Sequence, residues 1–406
     1  MTDRLDGARV LIYSHDTFGL GHLRRCRSIA HSLVESYKGL SVLILSGSPI
    51  IGSFDFRARV DFVRIPGVIK LRNGEYTPLK LHIDIEQTLA MRASIIQHTA
   101  SIFAPDLFLV DKEPLGLKGE VLDTLEMLKA RGTRLTLGLR DVMDEPTLLR
   151  REWERKNVTP ALTDLYDEIW VYGLDQFGDP LAGLEPPEAV RRKMVYTGYL
   201  PRFVPQTPAL HTPVDITRPY LLATAGGGGD GAAMIDAVLK AYELDPSLPH
   251  PAVLVLGPFM PAAWQEEFQD RAARLGRVQV ITFDSHIEIL MANAAGIVAM
   301  GGYNTFCEIL SFDKRAMLVP RVAPRLEQRI RALRAGELAL ARVLEPNAAA
   351  DPRVMARALH ELPAQPRPSE AAIPGLLDGL ATITDLAGWH ITRRKGDAAL
   401  AGAVKV

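Results

Sequence analysis

The feature that most constrains the fold is an alternation of short apolar runs with longer amphipathic stretches. In the first half of the chain the apolar runs predict β-strands at 9–14, 41–47, 60–67, 106–111, 134–141 and 168–173. The amphipathic stretches between them predict helices at 22–36, 84–103, 117–131 and 146–165. Several strands are apolar at nearly every position, as parallel strands covered by helices on both faces are. The first half therefore predicts an open α/β domain.

A second series of the same kind follows a proline-rich stretch. Residues 201–219 carry five prolines and little periodicity, which indicates a linker between compact units. Beyond it, apolar runs predict strands at 220–226, 252–257, 278–284, 296–302 and 316–322. We therefore predict an N-terminal Rossmann-like domain over 1–205, a linker over 206–219, a C-terminal Rossmann-like domain over 220–362, and a C-terminal helix and tail over 363–406.

Length, charge and cysteine content exclude several classes of protein. At 406 residues the chain can form two cores, and its net charge of −1 gives no electrostatic case for nucleic acid as a partner. Cys26 and Cys307 are far apart and suggest neither a disulfide framework nor a zinc site, and each fits core packing on an apolar helix face. The polar start and the shortness of the weakly polar run at 290–300 predict a soluble, cytoplasmic protein. Peripheral membrane contact stays open.

The candidate site residues are those directly after the strands, because open parallel sheets bind ligands beyond the carboxyl ends of their strands. The most prominent such turn precedes a helix that begins near Asp230 or Gly231, and it holds Gly226, Gly227, Gly228 and Gly229. Glycine N–H groups approach an anion closely and a helix N-terminus adds partial positive charge, which together favour a diphosphate. A flexible turn explains the same glycines without a ligand.

A second turn follows the strand at 296–302. Gly301 and Gly302 leave the strand, and Thr305 with Glu308 three residues later fits a capping box with Thr305 as the N-cap. The Glu308 carboxylate also suits acceptance of two hydrogen bonds from a ribose diol. Both interpretations stay open on the residues alone.

A third stretch, 320–338, opens a helix with Glu327 and Gln328 in its early turns. These two side chains suit hydrogen bonds to sugar hydroxyls. Arg325, Arg329 and Arg331 suit a solvated helix face, the usual place of a charge run. The stretch by itself does not decide between a binding role and a surface role.

The turn after the first strand places a histidine at a helix entrance. Residues 14–25, SHDTFGLGHLRR, pass through Gly19 and Gly21 and put His22 on the first helical turn. The helix dipole disfavours protonation there, which predicts a lowered pKa and a neutral imidazole able to act as a general base near pH 7. In the alternative interpretation, His22 caps its helix or hydrogen-bonds a neighbouring strand.

Charged residues follow two further strands of the first domain and are candidates for the acceptor side of a site: Asp111, Lys112, Glu113, Arg140 and Asp141. Ordinary loop salt bridges explain them nearly as well. The pair closest to a metal-chelating D-x-D motif is Asp84 with Glu86, which falls at the start of an amphipathic helix. We therefore predict no metal site and no cofactor.

Taken in order, these motifs resemble the two-domain nucleotide-sugar glycosyltransferases of the GT-B fold. The likeness is strongest to the family that includes the peptidoglycan N-acetylglucosaminyltransferase making lipid II. It rests on G-x-G-H ending at His22, the GGGGDG loop (226–231), FDSH (283–286), and GG-x-N-T-x-x-E (301–308) followed by Glu327-Gln328. It spans most of 8–345 and implies two Rossmann-like domains facing across a cleft.

The resemblance implies that the C-terminal domain holds a nucleotide sugar, with a UDP-sugar as the expected donor. The glycine loop would lie at the diphosphate, Phe283 and Asp284 near the base, Glu308 on the ribose, and Glu327 and Gln328 on the sugar. Gly301, Gly302, Asn304 and Thr305 belong to the same donor motif. TGYLPR (197–202) is similar to the family's G-N-P-x-R element and places Arg202 near the phosphates, although Tyr199-Leu200 replaces Asn-Pro. Asp284-Ser285-His286 likewise departs from the commoner acidic pair.

With these roles, the resemblance implies an inverting, metal-independent glycosyltransferase in which His22 deprotonates an acceptor hydroxyl. The stretch 19–30 also resembles UDP-sugar hydrolases of the pseudaminic acid pathway, a likeness that includes Arg25 and Cys26 and in which the histidine would activate water. A non-catalytic nucleotide-sugar binding module on the same fold is a third alternative. We prefer transfer over hydrolysis because the chain carries a full second domain and a long acceptor-side half with loops at 67–83 and 140–160.

Overall fold

The structure is a computed structural model that describes residues 3–15, 21–71, 75–204, 214, 217–227, 229–284 and 286–403, with side chains except at 3, 70 and 395–403. Gly19 and Gly228, two of the predicted site residues, lie outside the described residues, as does Ser285. The chain divides into two compact units, Met1–Leu200 with Asp378–Val406, and Pro201–Leu377. Each unit has its own apolar core.

The first unit contains a main sheet of seven strands together with shorter strands outside that sheet. Its strands are β1 (Asp3–Arg4), β2 (Arg9–Ser14), β3 (Tyr37–Lys38), β4 (Ser41–Ser46), β5 (Val60–Arg64), β6 (Val68–Lys70), β7 (Tyr76–Pro78), β8 (Leu107–Asp111), β9 (Arg134–Arg140), β10 (Glu168–Tyr172) and β11 (Met194–Tyr196). Its helices before the second unit are α1 (Gly21–Ser36), α2 (Ile85–Phe103), α3 (Leu122–Ala130), α4 (Pro146–Arg155) and α5 (Glu188–Arg191). The main sheet has the order β11-β10-β9-β8-β2-β4-β5 and is parallel throughout.

The second unit is built on a parallel sheet of six strands. Its strands are β12 (Leu221–Thr224), β13 (Ala252–Val255), β14 (Val278–Ile281), β15 (Gly296–Ala299), β16 (Ala316–Leu318) and β17 (Arg342–Val343). Its helices are α6 (Ala232–Leu244), α7 (Ala262–Leu275), α8 (Ile287–Asn293), α9 (Tyr303–Ser311), α10 (Glu327–Glu337), α11 (Pro346–Ala349) and α12 (Pro352–Glu361). The order is β14-β13-β12-β15-β16-β17.

The last helix, α13 (Gly379–Ala403), belongs to the first unit. Its buried stripe of Ile383, Ala387 and Ile391 is 0% exposed. A Cβ on Gly388 would lie 2.0 Å from the Tyr37 hydroxyl, so glycine allows the helix to approach closely. The C-terminal helix predicted within 363–406 thus lies with the N-terminal unit. None of the helices in the described part of the chain is long and apolar enough to cross a bilayer.

Helix ends follow local sequence signals. Asp84 is the N-cap of α2 and accepts a hydrogen bond from the Gln87 N–H at 2.7 Å, with Glu86 in the first turn. The acidic pair that comes nearest to a D-x-D motif is therefore a helix cap. At the other end, Ala104 adopts a left-handed φ of 46° and closes the helix.

Strand order places a topological switch point in each sheet. In the first unit the chain moves outward from β2 through β4 to β5 on one side, and from β8 through β9 and β10 to β11 on the other. The crevice between β2 and β8 is therefore the position at which open α/β sheets in general bind their ligands. The corresponding crevice of the second unit lies between β12 and β15.

Candidate functional site

A histidine bonded to the end of the neighbouring strand lies at the first switch point. His22 is in α1, directly after Gly21, and its Nδ1 is 2.5 Å from Oδ2 of Asp111, the last residue of β8. The His22 side chain is 17% exposed, whereas that of Asp111 is 1% exposed. The imidazole is therefore held by a buried carboxylate while part of it stays accessible.

A buried arginine fixes the charge of Asp111. Arg25 donates from Nε to Oδ1 and from a terminal nitrogen to Oδ2, both at 2.8 Å. Burial by itself raises the pKa of Asp111, but the charge of Arg25 and the hydrogen bonds from His22 and Arg25 lower it well below its ordinary value. The carboxylate is consequently ionised and can only accept hydrogen bonds.

This charge state determines the tautomer of His22. Because Asp111 only accepts, Nδ1 of His22 must carry the hydrogen, and the lone pair of the neutral ring lies on Nε2. A terminal nitrogen of Arg25 is 3.1 Å from the same Nδ1. The two nitrogens lie close together because both donate to Oδ2 of Asp111. Among the described residues, no hydrogen bond occupies Nε2.

The pKa of His22 is lowered, in the direction that the sequence predicts. The first cause is burial, with Arg25 acting in the same direction and Asp111 opposing it. The helix dipole, from which the sequence predicts the shift, is not needed to explain it. Hydrogen bonding to a neighbouring strand, the alternative interpretation of His22, also occurs, since Asp111 belongs to β8. A bond through Nδ1 leaves Nε2 available as a base.

Packing beneath the pair holds Arg25 in place. Its guanidinium carbon lies 5.8 Å from the centroid of the Tyr172 ring, and Tyr172 is itself fully buried. The Tyr172 ring crosses Gly138 of β9, where an added Cβ would be 1.9 Å from the hydroxyl. A glycine inside β9 thus makes room for the tyrosine that supports Arg25.

A second imidazole lies beside the first, and no motif pointed to it. The ring centroids of His15 and His22 are 5.8 Å apart in an edge-to-face arrangement, and His15 is 5% exposed. Nδ1 of His15 is 3.4 Å from the Tyr13 hydroxyl, which donates to Glu120 at 2.5 Å. Arg92 donates to both oxygens of Glu120 at 2.6 Å. Burial lowers the pKa of His15, so this ring is neutral.

The other acceptor-side candidates have partners of their own. Lys156 donates to Glu113 at 2.7 Å, and Lys112 Nζ is 3.6 Å from the same carboxylate. Asp141 is 1% exposed and accepts from the Tyr199 hydroxyl at 2.6 Å. Arg140, half-buried, is the last residue of β9. Within the described part of the chain, Asp111 is the one of these five charged candidates that hydrogen-bonds His22.

In the second unit, three predicted donor segments meet at the carboxyl edge of the sheet. Arg321 contacts Asp230, at the end of the glycine loop, and also Glu327, at the start of α10. A Cβ on Gly302 would lie 3.9 Å from Nε2 of Gln328. The turns after β12 and β15 and the start of α10 therefore form one cluster at the switch point.

The glycine loop is a close turn between strand and helix. Gly226 has a φ of +63°, and its N–H donates to the Thr224 hydroxyl at 3.2 Å. A Cβ on Gly231, the N-cap of α6, would be 2.2 Å from that of Ala225. Gly227 accepts from the Phe259 N–H at 3.0 Å, and the Cβ position of Gly229 has nothing within 4 Å. An anion here would be met by the other loop N–H groups and the start of α6.

The predicted capping box is wrong. Helix α9 begins at Tyr303, its N-cap is Gly302, and no side chain caps it. Thr305 therefore lies inside the first turn, and Glu308 lies one turn further on, where it is 2% exposed. Helix capping no longer accounts for the Glu308 carboxylate.

The predicted surface role is wrong for Arg331. It is 0% exposed, donates to the Gly301 carbonyl at 3.0 Å, and lies 5.6 Å from the centroid of the Tyr303 ring. Arg331 thus holds the turn after β15 from below. Arg329 does pair with a partly exposed acid, Glu345, at 3.0 Å.

The remaining donor candidates lie at the same edge of the sheet. Arg202 is 7% exposed, donates to the Asn304 side chain at 3.0 Å, and is thereby joined to the turn after β15. Phe283, 52% exposed, and Asp284 follow the outermost strand β14, separated from β12 by β13. Asp284 accepts from the His286 N–H at 2.7 Å.

Both cysteines are free and buried, in agreement with the predicted core packing. Within the described residues, no group of three or more histidine, cysteine, aspartate or glutamate side chains could hold a metal ion.

Comparison of the structure finds similar known proteins, whereas comparison of the sequence does not. The sequence matches no protein-family model and no curated protein sequence. The calicheamicin glycosyltransferase CalG4 is 17% identical with a TM-score of 0.59, over 95% of this chain and 99% of that one. MurG of Acinetobacter baumannii is 13% identical with a TM-score of 0.59, over 93% and 98%. A UDP-glucosyltransferase from Polygonum tinctorium is 14% identical with a TM-score of 0.64, over 95% and 99%.

The chain has the GT-B fold. This confirms the α/β class and the pair of Rossmann-like domains that the strand and helix pattern predicts. In this GT-B chain, each Rossmann-like unit has its polar cluster at its own switch point: His22 and Asp111 in the first, and the glycine loop with Glu308 and Glu327 in the second.

Proposed function

We propose that the protein is an inverting, metal-independent glycosyltransferase that moves a sugar from a nucleotide sugar, a UDP-sugar in the first instance, to a hydroxyl group of an acceptor. The observation that carries this proposal is the Asp111–His22 pair, in which an ionised carboxylate leaves Nε2 of a neutral imidazole available at the switch-point crevice between β2 and β8. This arrangement suits removal of a proton from a hydroxyl group.

The second unit supplies the residue types that a nucleotide sugar requires. Loop N–H groups and Arg202 suit the diphosphate, the Glu308 carboxylate suits the ribose diol, and Glu327 and Gln328 suit the sugar. Structures with this fold support the donor class. That of Phytolacca americana UGT2 holds UDP-2-fluoro-glucose, and that of LpCGTa holds UDP.

The groups of the two units support the following glycosyl-transfer reaction. Nε2 of His22 takes the proton of the acceptor hydroxyl as its oxygen attacks the anomeric carbon of the donor. The bond between that carbon and the β-phosphate oxygen breaks, the electron pair leaves with the diphosphate, and the configuration at the anomeric carbon is inverted. Arg202 and the loop N–H groups stabilise the departing charge in place of a metal ion.

A turnover assay with nucleotide sugars tests this proposal. The protein is incubated with UDP-sugars, with and without a panel of hydroxyl acceptors and with and without a chelator, and products are identified by mass spectrometry. We expect acceptor-dependent glycoside formation that survives the chelator. Free sugar released equally fast without acceptor would favour the hydrolase, in which His22 activates water. UDP-sugar binding without turnover would favour a binding module.

Glu308 provides a test of the donor half. The substitution Glu308→Gln keeps the size of this buried side chain but removes its charge, so its hydrogen bonds to the ribose diol weaken. We expect the dissociation constant of UDP to rise about tenfold, the effect of losing charge-assisted hydrogen bonding. Calorimetric titration measures this. The matched control is Glu337→Gln on α10, a carboxylate 59% exposed and paired with Arg334, which should leave UDP binding unchanged.

A further inference from the structure

One arginine joins the glycine loop to the pair Glu327-Gln328. A terminal nitrogen of Arg321 lies 2.5 Å from Oδ2 of Asp230, and the other terminal nitrogen donates to Oε1 of Glu327. The backbone N–H of Arg321 donates to Oε1 of Gln328 at 3.3 Å. Arg321 therefore binds both members of the pair and the end of the loop at once.

Glu327 is the buried member of this contact. The side chains of Arg321, Asp230 and Glu327 are 20%, 39% and 6% exposed, so Glu327 is the most deeply buried of the three. Arg321 therefore supplies a countercharge to a carboxylate that has little contact with solvent.

Resting on the proposed function, we propose that the Arg321 side chain is a positioning residue for Glu327, the sugar-binding carboxylate. Loss of the guanidinium would remove a countercharge from Glu327, so that this side chain could reorient. The bond from the Arg321 backbone N–H to Gln328 does not depend on the side chain and would remain. We therefore expect weaker contacts to the sugar, with the contacts to the diphosphate and the base kept.

The positioning role is tested by comparing two ligands that differ only in the sugar. Substrate binding to Arg321→Met is measured by calorimetry with UDP and with the UDP-hexose that the parent protein binds most tightly among UDP-glucose, UDP-galactose and UDP-N-acetylglucosamine. We expect the UDP-hexose to bind about tenfold more weakly, with UDP affinity changed by less than about threefold. The matched control is Arg329→Met on α10, whose arginine pairs with Glu345.

The outcomes separate this inference from the proposed function. If the parent binds UDP and a UDP-hexose, but Arg321→Met weakens both equally or neither, the positioning role is overturned while the proposed function stands. A parent that binds none of these compounds overturns the proposed function and this inference with it. If Arg321→Met does not fold, Arg321→Lys replaces it for the positioning test.

Discussion

Replacement of His22 by alanine is expected to lower turnover by about 10²- to 10⁴-fold, the usual contribution of a general base, while UDP-sugar affinity stays within about twofold of the parent. The reason is that His22 lies in the first unit, whereas the proposed donor contacts lie in the second. Turnover is measured by coupled assay of UDP release, and donor affinity by calorimetry on the same preparations.

Asp111→Asn shows whether His22 acts as part of a pair. An amide at residue 111 can donate to Nδ1, which would place the hydrogen of the imidazole on Nε2 and remove the basic lone pair. We expect a loss similar to that of His22→Ala, and a double variant no slower than His22→Ala alone, because residues that act as a unit are not additive. Asp167→Asn, which changes a carboxylate bonded to Lys129 beside the amino end of β10, is the control. Additive losses would contradict the pair.

The second large effect concerns stability. Arg25→Met removes the guanidinium that binds both oxygens of a carboxylate only 1% exposed. Breaking a buried ion pair from one side costs about 3–5 kcal/mol, since the remaining charge is left uncompensated. We therefore expect the free energy of unfolding, measured by urea titration at pH 8, to fall by roughly that amount.

The loss should depend on pH in a defined direction. In the parent, the pKa of Asp111 in the folded state lies below its unfolded value of 3.8, so its stabilisation is complete above that pH and is lost only in stronger acid. The parent's His22, with a folded pKa below 6.5, loses stability as the pH falls below 6.5. Without Arg25, burial raises the pKa of Asp111, and the pKa of His22 rises as well, so proton uptake favours the folded variant. The difference between parent and variant should therefore be smaller at pH 5.5 than at pH 8.

Arg27→Met is the matched control for this experiment. Arg27 lies on the same helix but donates to the Asp55 carbonyl at the surface. Its removal should cost less than about 1 kcal/mol and add no pH dependence of this kind. An Arg25→Met protein as stable as the parent at pH 8 would show that Asp111 does not depend on this arginine for its charge.

Sequence reasoning predicted the architecture because the signals for it are local. The strand Arg9–Ser14 and the helix that carries His22 are each visible as a hydrophobic period within one window of residues. The strand β11, Met194–Tyr196, is missed because three residues between turns carry no period. The capping box fails because α9 begins three residues earlier than predicted, with Gly302 rather than Thr305 as its N-cap, so Thr305 lies inside the first turn.

The site is predicted less completely because its contacts are distant in sequence. The turn after each switch-point strand can be located from the strand pattern, and His22, the glycine loop and Glu308 are found in this way. The bond between His22 and Asp111 joins residues separated by 89 positions, and that between Tyr13 and Glu120 spans 107. No local pattern distinguishes a buried arginine such as Arg25 or Arg331 from one on a solvated helix face, because the distinction depends on what the fold brings against it.

The place of α13 has a consequence for synthesis of the chain. Residues 201–377 are all translated before α13, and until then the first unit lacks the helix that covers α1. Until Ile383, Ala387 and Ile391 emerge, the apolar surface they cover stays open to solvent or to a chaperone. The part of the protein made first, which carries the proposed base, is therefore the part whose folding is completed last.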